Sequence, residues 1–99
     1  MKISRAAVAG TLDASDLQVT VEPGDKGISL EVSSSMLGQY GRQIKKVILD
    51  TLKQFDIQDI KITVVDKGAP NSTVRARVEC AIQRAAGIFE NMPWGGPGV

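Results

Sequence analysis

Hydrophobic and polar positions alternate over Leu17-Gln18-Val19-Thr20-Val21-Glu22, the period of a strand with one buried and one wet face. Ile28, Leu30 and Val32 repeat the alternation after Pro23-Gly24-Asp25-Lys26-Gly27, a turn-rich spacer of hairpin length, so the pattern predicts two strands paired antiparallel. The period then changes. Ser33-Ser34-Ser35 supplies hydroxyls suited to a helix N-cap, and Leu37, Tyr40, Ile44, Val47, Ile48, Leu52 and Phe55 follow at three- and four-residue spacing, one apolar face of a long helix. Arg42, Lys46 and Lys53 lie around Leu49 on the opposite side, either as a solvated face or as a docking stripe for a larger partner.

The segment 59–65 is rich in β-branched residues, with Ile60, Ile62 and Val64 on one side, and reads as a third strand ended by Asp66-Lys67-Gly68-Ala69-Pro70. Asn71, Ser72 or Thr73 can cap a second helix, in which Val74, Val78, Ala81, Ile82 and Ala85 form the buried stripe and Gly87 the stop. Arg75, Arg77 and Arg84 stay outside that stripe. Beyond Phe89 glycine and proline remove regular structure, with Trp94 as a possible anchor. The order strand, strand, helix, strand, helix predicts a small α+β domain with two helices packed on one face of a three-stranded sheet. Residues 1–94 form the domain in this reading and 95–99 a flexible Gly/Pro-rich tail.

Composition narrows the chemistry. At 99 residues the chain supports one modest core, and a net charge of +1 argues against a bulk nucleic-acid binder. It contains no histidine, which removes Ser-His and Cys-His catalysis and histidine-based metal sites, and no metal is expected. The single cysteine, Cys80, cannot form an internal disulfide and is placed on the outer side of its helix, near Arg77 and Arg84. No apolar run is long enough for a signal or a spanning segment, so a cytoplasmic protein with no membrane partner is expected.

Candidate chemistry concentrates before the first alternating run, where Ala7-Val8-Ala9-Gly10-Thr11-Leu12-Asp13-Ala14-Ser15-Asp16 puts an accessible serine between two acids. With no base nearby, such a serine suits a covalent passenger better than catalysis. Together with Asp66-Lys67-Gly68-Ala69 and Arg75-Ala76-Arg77-Val78, this segment resembles the citrate lyase acyl carrier proteins, and the likeness extends over nearly the whole chain to Pro93-Trp94.

The resemblance implies a non-catalytic carrier, the gamma subunit of citrate lyase. It would bear phosphoribosyl-dephospho-coenzyme A on a serine through a phosphodiester, making it a phosphoprotein, and the cofactor's thiol would hold acetyl or citryl as a thioester. Implied partners are the alpha acyltransferase subunit, the beta citryl lyase subunit, the prosthetic-group transferase and a ligase that acetylates the thiol, as in citrate fermentation. Asp13 and Asp16 match the family's flanking acids, but the usual serine position is Ala14. Either Ser15 accepts the group, which is the expectation, or this chain is not loaded. Lys67, Arg75 and Arg77 are possible phosphate contacts, since guanidinium groups make charge-assisted bonds to phosphate oxygens; Pro70-Asn71-Ser72 departs from the family's Leu-Asp-Cys.

Two other readings stand beside this one. The related malonate decarboxylase carrier uses a similar arm. A K-homology-type RNA-binding module is suggested by Gly38-Gln39-Tyr40-Gly41 with Arg42, Lys45 and Lys46 following. An autonomous enzyme would have only carboxylate or lysine chemistry, and no convergent pair is visible.

Overall fold

The computed structural model describes residues 2–34 and 39–87. Four strands and two helices follow in the order β1 (Ala7–Gly10), β2 (Leu17–Pro23), β3 (Ile28–Ser34), α1 (Gln39–Gln54), β4 (Ile60–Asp66) and α2 (Asn71–Ala85). The strands form one sheet in the spatial order β1-β2-β4-β3, with β1/β2 and β2/β4 antiparallel and β3/β4 parallel.

The α+β class and the single helical layer are as the pattern predicts, but the sheet has four strands rather than three. The additional strand is β1, which pairs with β2 through Ala7 opposite Val21 and Ala9 opposite Val19.

The two alternating runs do not pair with each other. β4 lies between them, and its register aligns Val19, Val64 and Val32 in one row and Val21, Ile62 and Leu30 in the next. Burial decides this order: Ile60, Ile62 and Val64 are fully inaccessible and occupy the centre, whereas Ile28 on the edge strand stays 43% exposed. The spacer that reads as a hairpin turn instead wraps the start of β4. The Ile60 N–H donates to the Gly27 carbonyl at 3.1 Å, and the Gly27 N–H donates to Asp59 Oδ1 at 2.7 Å. Gly24 makes the approach possible, because a Cβ there would lie 2.6 Å from the Ile60 nitrogen.

Both helices cover the face carrying Leu17, Val19, Val21, Ile60, Ile62 and Val64; α2 packs over β1 and β2, and α1 against α2 and β3. Ile44, Ile48 and Leu52 of α1 join Val74, Val78, Ala81, Ile82 and Ala85 of α2 in this core. Each such Val, Leu or Ile side chain stabilises the fold by about 1.5–3 kcal/mol on burial. Phe55 packs partly against the core just beyond α1, while Leu37, the Tyr40 side chain and the tail with Trp94 lie outside the described residues. The opposite sheet face, with Thr20, Lys61, Thr63 and Glu31, stays polar or half-exposed, as expected of a sheet covered on one side.

Two of the serines expected to cap α1, Ser33 and Ser34, belong to β3, and Ser35 lies outside the described residues; the Ser34 hydroxyl donates to Asp66 Oδ2 at 2.8 Å. Asp66, 1% exposed, also accepts the Ala69 N–H on Oδ1 at 2.9 Å, closing the turn between β4 and α2. Helix α2 therefore begins after Pro70 without a side-chain cap from Asn71, Ser72 or Thr73. Its stop is as predicted: Gly87 adopts φ +76° and donates its N–H to the Arg84 carbonyl.

Candidate functional site

The loop 11–16 joins β1 to β2 at the end of the sheet where β4 finishes and α2 starts. Gly10 opens it at φ +86°, and a Cβ there would overlap the Leu17 carbonyl oxygen and sit 3.2 Å from Arg77 Cδ. Only glycine lets the chain turn back this tightly beneath the arginine. The Thr11 hydroxyl accepts the Asp13 N–H at 3.2 Å, and the Asp13 carbonyl accepts the Asp16 N–H at 3.2 Å, so the loop closes on itself. Two backbone bonds then continue the β2–β4 ladder: Ser15 N–H to the Lys67 carbonyl and Lys67 N–H to the Asp16 carbonyl, both 2.9 Å.

Asp16 is the hub of the loop. Its carboxylate accepts from Thr11 Oγ1 at 2.7 Å, from the Leu17 N–H at 2.8 Å, and from Arg77 through Nε at 3.1 Å and Nη2 at 3.2 Å. The Thr11 hydrogen bond, then the Leu17 N–H and the Arg77 guanidinium, outweigh partial burial and hold its carboxyl near a pKa of about 2. Asp16 is thus an anion throughout the neutral range, tying α2 to the loop by a two-point fork.

Against this frame Ser15 stands out. It is exposed, its φ of 63° lies in the left-handed region, and its hydroxyl makes no hydrogen bond among the described residues. A serine kept for local side-chain bonding would engage that hydroxyl. Ala14 beside it is also exposed and offers only a methyl, and Asp13 is exposed and contributes to the loop through its backbone.

The three basic residues expected near the serine separate. Arg77 is at the loop, but its Nε and Nη2 are committed to Asp16, leaving the Nη1 donors of a side chain 41% exposed. Lys67 is anchored to the loop by its backbone, with its side chain exposed. Arg75 is elsewhere, in the groove between α1 and α2 with Val47 and Glu79, because two residues along a helix turn a side chain by about 200°.

Cys80 is also not where the periodicity puts it: it is half-buried and packs against the core. Gly41 lies inside α1, so the described backbone does not form the two-helix turn of a K-homology loop there. Thr11 and Gly10, which the hydrophobic pattern does not single out, complete the loop. The spacing of a threonine two residues before an aspartate, after a glycine, is the local signal that marks them.

An acyl carrier family model described as the malonate decarboxylase delta subunit matches residues 4–85. The citrate lyase acyl carrier protein of Vibrio cholerae serotype O1 (strain M66-2) is 44% identical over 95 residues, which span 95% of this chain and 96% of that protein. The protein of the same name from Lactiplantibacillus plantarum is 46% identical over 85 residues, covering 86% and 88% of the two chains. A chain in the crystal structure of a Pseudomonas malonate decarboxylase hetero-tetramer in complex with malonate has the same fold, with a TM-score of 0.71 and 27% identity over 86% of this chain and 88% of that one.

Proposed function

Because the chain belongs to the citrate lyase acyl carrier protein family, we propose that it carries acyl groups between the acyltransferase and lyase subunits of citrate lyase while citrate is cleaved to acetate and oxaloacetate. It is a carrier rather than a catalytic subunit, and the family implies a covalently attached prosthetic group. We assign that group as phosphoribosyl-dephospho-coenzyme A and its attachment point as Ser15 Oγ. When bound, it supplies a terminal thiol on a long arm, the nucleophile that this histidine-free chain lacks.

The observation that carries the assignment is the state of Ser15: an exposed, unbonded hydroxyl on a left-handed residue whose backbone is pinned to Lys67. The left-handed conformation costs a serine about 1 kcal/mol that glycine would avoid, and strain of this kind persists where surrounding contacts enforce it. Here the Thr11–Asp16–Arg77 network does so. A phosphodiester at Oγ would project into solvent, within the neighbourhood of the free Arg77 Nη1 donors and the exposed Lys67. The residues present therefore fit an outward-pointing, mobile attachment rather than an enclosed cofactor. No described helix is long and apolar enough to cross a membrane, in keeping with the proposal of a cytoplasmic complex of carrier, acyltransferase and lyase served by a prosthetic-group transferase and an acetate ligase.

Intact-mass measurement after co-expression with the transferase and the prosthetic-group precursor tests the assignment. The parent chain should gain one prosthetic-group increment and Ser15→Ala none. An unmodified parent beside a modified Ala14→Ser variant would show that Ser15 is only a neighbour. The malonate decarboxylase likeness supports a second reading, and the subunits that co-purify with the chain from its own cells decide between the two.

A further inference from the structure

Among the described residues, no side-chain hydrogen bond or ion pair joins the solvent face of α1 to the Ser15 loop, and on that face an exposed leucine lies among cations. Arg42, Lys46, Leu49 and Lys53 recur at spacings that place them in one line along the helix, on the side away from the buried Ile44, Ile48 and Leu52. From first to last the line is about 16 Å long at 1.5 Å per residue. All four side chains are exposed, and at its middle Leu49 leaves 44% of its surface in water.

None of the cations has an ion pair among the described residues. Arg42 and Lys46 stand one helical turn apart, a like-charge placement that is unfavourable in the free helix. The imbalance also holds at the scale of the molecule: α1 has four basic residues against the single acid Asp50, a net +3 in a chain of net +1, so everything outside α1 sums to −2. An apolar centre rimmed by cations that outnumber the one neighbouring acid, Asp50, is the pattern of a protein-binding patch, in which the apolar group desolvates and the rim charges steer association.

We propose that this face of α1 docks the carrier onto an acidic surface of a companion subunit, with Leu49 at the centre of the contact. The placement suits a carrier, and here the proposal rests on that reading of the chain. α1 packs on α2 and β3, whereas the Ser15 loop is held by β4 and α2, so a partner can grip α1 and leave the attachment loop free. A nucleic acid is the poorer occupant, because the stripe has an aliphatic centre and contains no aromatic residue from Arg42 to Lys53 on which a base could stack.

The test uses the full chain with the acyltransferase and lyase subunits, reading affinity at about 50 and 300 mM salt, a range over which exposed charges become largely screened. Arg42→Glu with Lys46→Glu should weaken assembly by about tenfold at the lower salt and by much less at the higher. Leu49→Ser should weaken it at both, and Lys61→Glu, on the open sheet face, should leave it unchanged. Thermal melts confirm that each variant is folded. Affinity within twofold of the parent for the double reversal, an equal loss for Lys61→Glu, or loss of single-stranded RNA binding in place of subunit binding would overturn the proposal. Prosthetic-group loading, read separately by mass, distinguishes the two claims: a chain that assembles through α1 but is never loaded refutes the Ser15 assignment and leaves the docking face standing. A loaded chain that binds neither subunit refutes the docking face.

Discussion

The two helices are both rich in cations, yet they use them in opposite ways. On α2, Arg77 forks onto Asp16 and Arg84 Nη1 donates to the Val8 carbonyl at 2.8 Å, so two of its three arginines tie the helix to β1 and its loop. On α1 the four basic residues have no ion pair among the described residues; Arg42, Lys46 and Lys53 lie on the side away from the core, and Lys45 borders the groove against β3. What separates them is the neighbour across the gap. α2 lies over β1, a short edge strand whose carbonyl and adjoining loop carboxylate accept bonds, whereas the outer face of α1 meets solvent. Cations on α2 build the site and those on α1 remain available to something outside the chain.

Five substitutions, at four positions, would break or sharpen this contrast. The largest effect is expected from Ser15→Ala, which should abolish loading entirely while moving the midpoint of thermal unfolding little, since the loop is held by backbone bonds and by Asp16. Ser15→Gly should also abolish loading and raise stability by up to about 1 kcal/mol, because glycine adopts the left-handed region without strain. Next comes Gly10→Ala, where the overlap with the Leu17 carbonyl oxygen and the positive φ should together cost about 3 kcal/mol in denaturant unfolding.

Asp16→Asn probes the clamp through its pH dependence. The carboxyl's pKa is depressed from 3.8 to about 2 in the folded protein, so its stabilisation is fully present above about pH 5 and fades as pH falls towards 2. The stability gap between parent and Asp16→Asn should therefore be constant from neutral pH down to about 5 and narrow below it. With Arg77 partly exposed, solvent screening limits the ion pair itself to about 1 kcal/mol. A gap that widens on acidification would show that the clamp does not hold the loop. The smallest effect is expected for Lys46→Glu, which relieves the repulsion from Arg42 but sets a like charge one turn from Asp50, so stability should change by no more than about 0.5 kcal/mol in either direction. A marked destabilisation would mean that α1's cations are structural after all.

Where burial follows local periodicity, the sequence was readable. β2, β4 and the stripes of both helices appear as predicted because Leu17, Val19 and Val21, or Val74, Val78 and Ala81, show their buried face without reference to any partner. β1 is not legible in the sequence because Ala7-Val8-Ala9-Gly10 has little strand propensity of its own; its alanines are turned inward beneath α2, and pairing with β2 makes it a strand. The order of strands was illegible for a related reason. Pro23 to Gly27 satisfies the local grammar of a hairpin, and only the competition for the sheet centre, which β4 wins, shows that it is a wrap. At the site, Ser15 and its flanking acids are adjacent in sequence and could be picked out together. Arg77 is 61 residues from Asp16, so its partner could not be inferred from spacing, and Arg75 was grouped with it only because the two are neighbours in the chain.

The central position of β4 has a consequence for how the protein comes into being. As the chain leaves the ribosome, the β1–β2 pair and β3 are made before the strand that joins them, and β3 has no neighbour in the sheet except β4. Pairings so distant along the chain carry a loop-closure cost that must be met before any contact is gained, so assembly should wait until Asp66 has emerged and then proceed in a single late step. A polypeptide halted in α1 would hold β3 as a bare edge, open to the same edge of another copy. The Ser15 loop shares that timing, because Lys67 and Arg77, which pin it, follow β4 in the chain, so the loop is ordered only after synthesis has passed the end of the sheet.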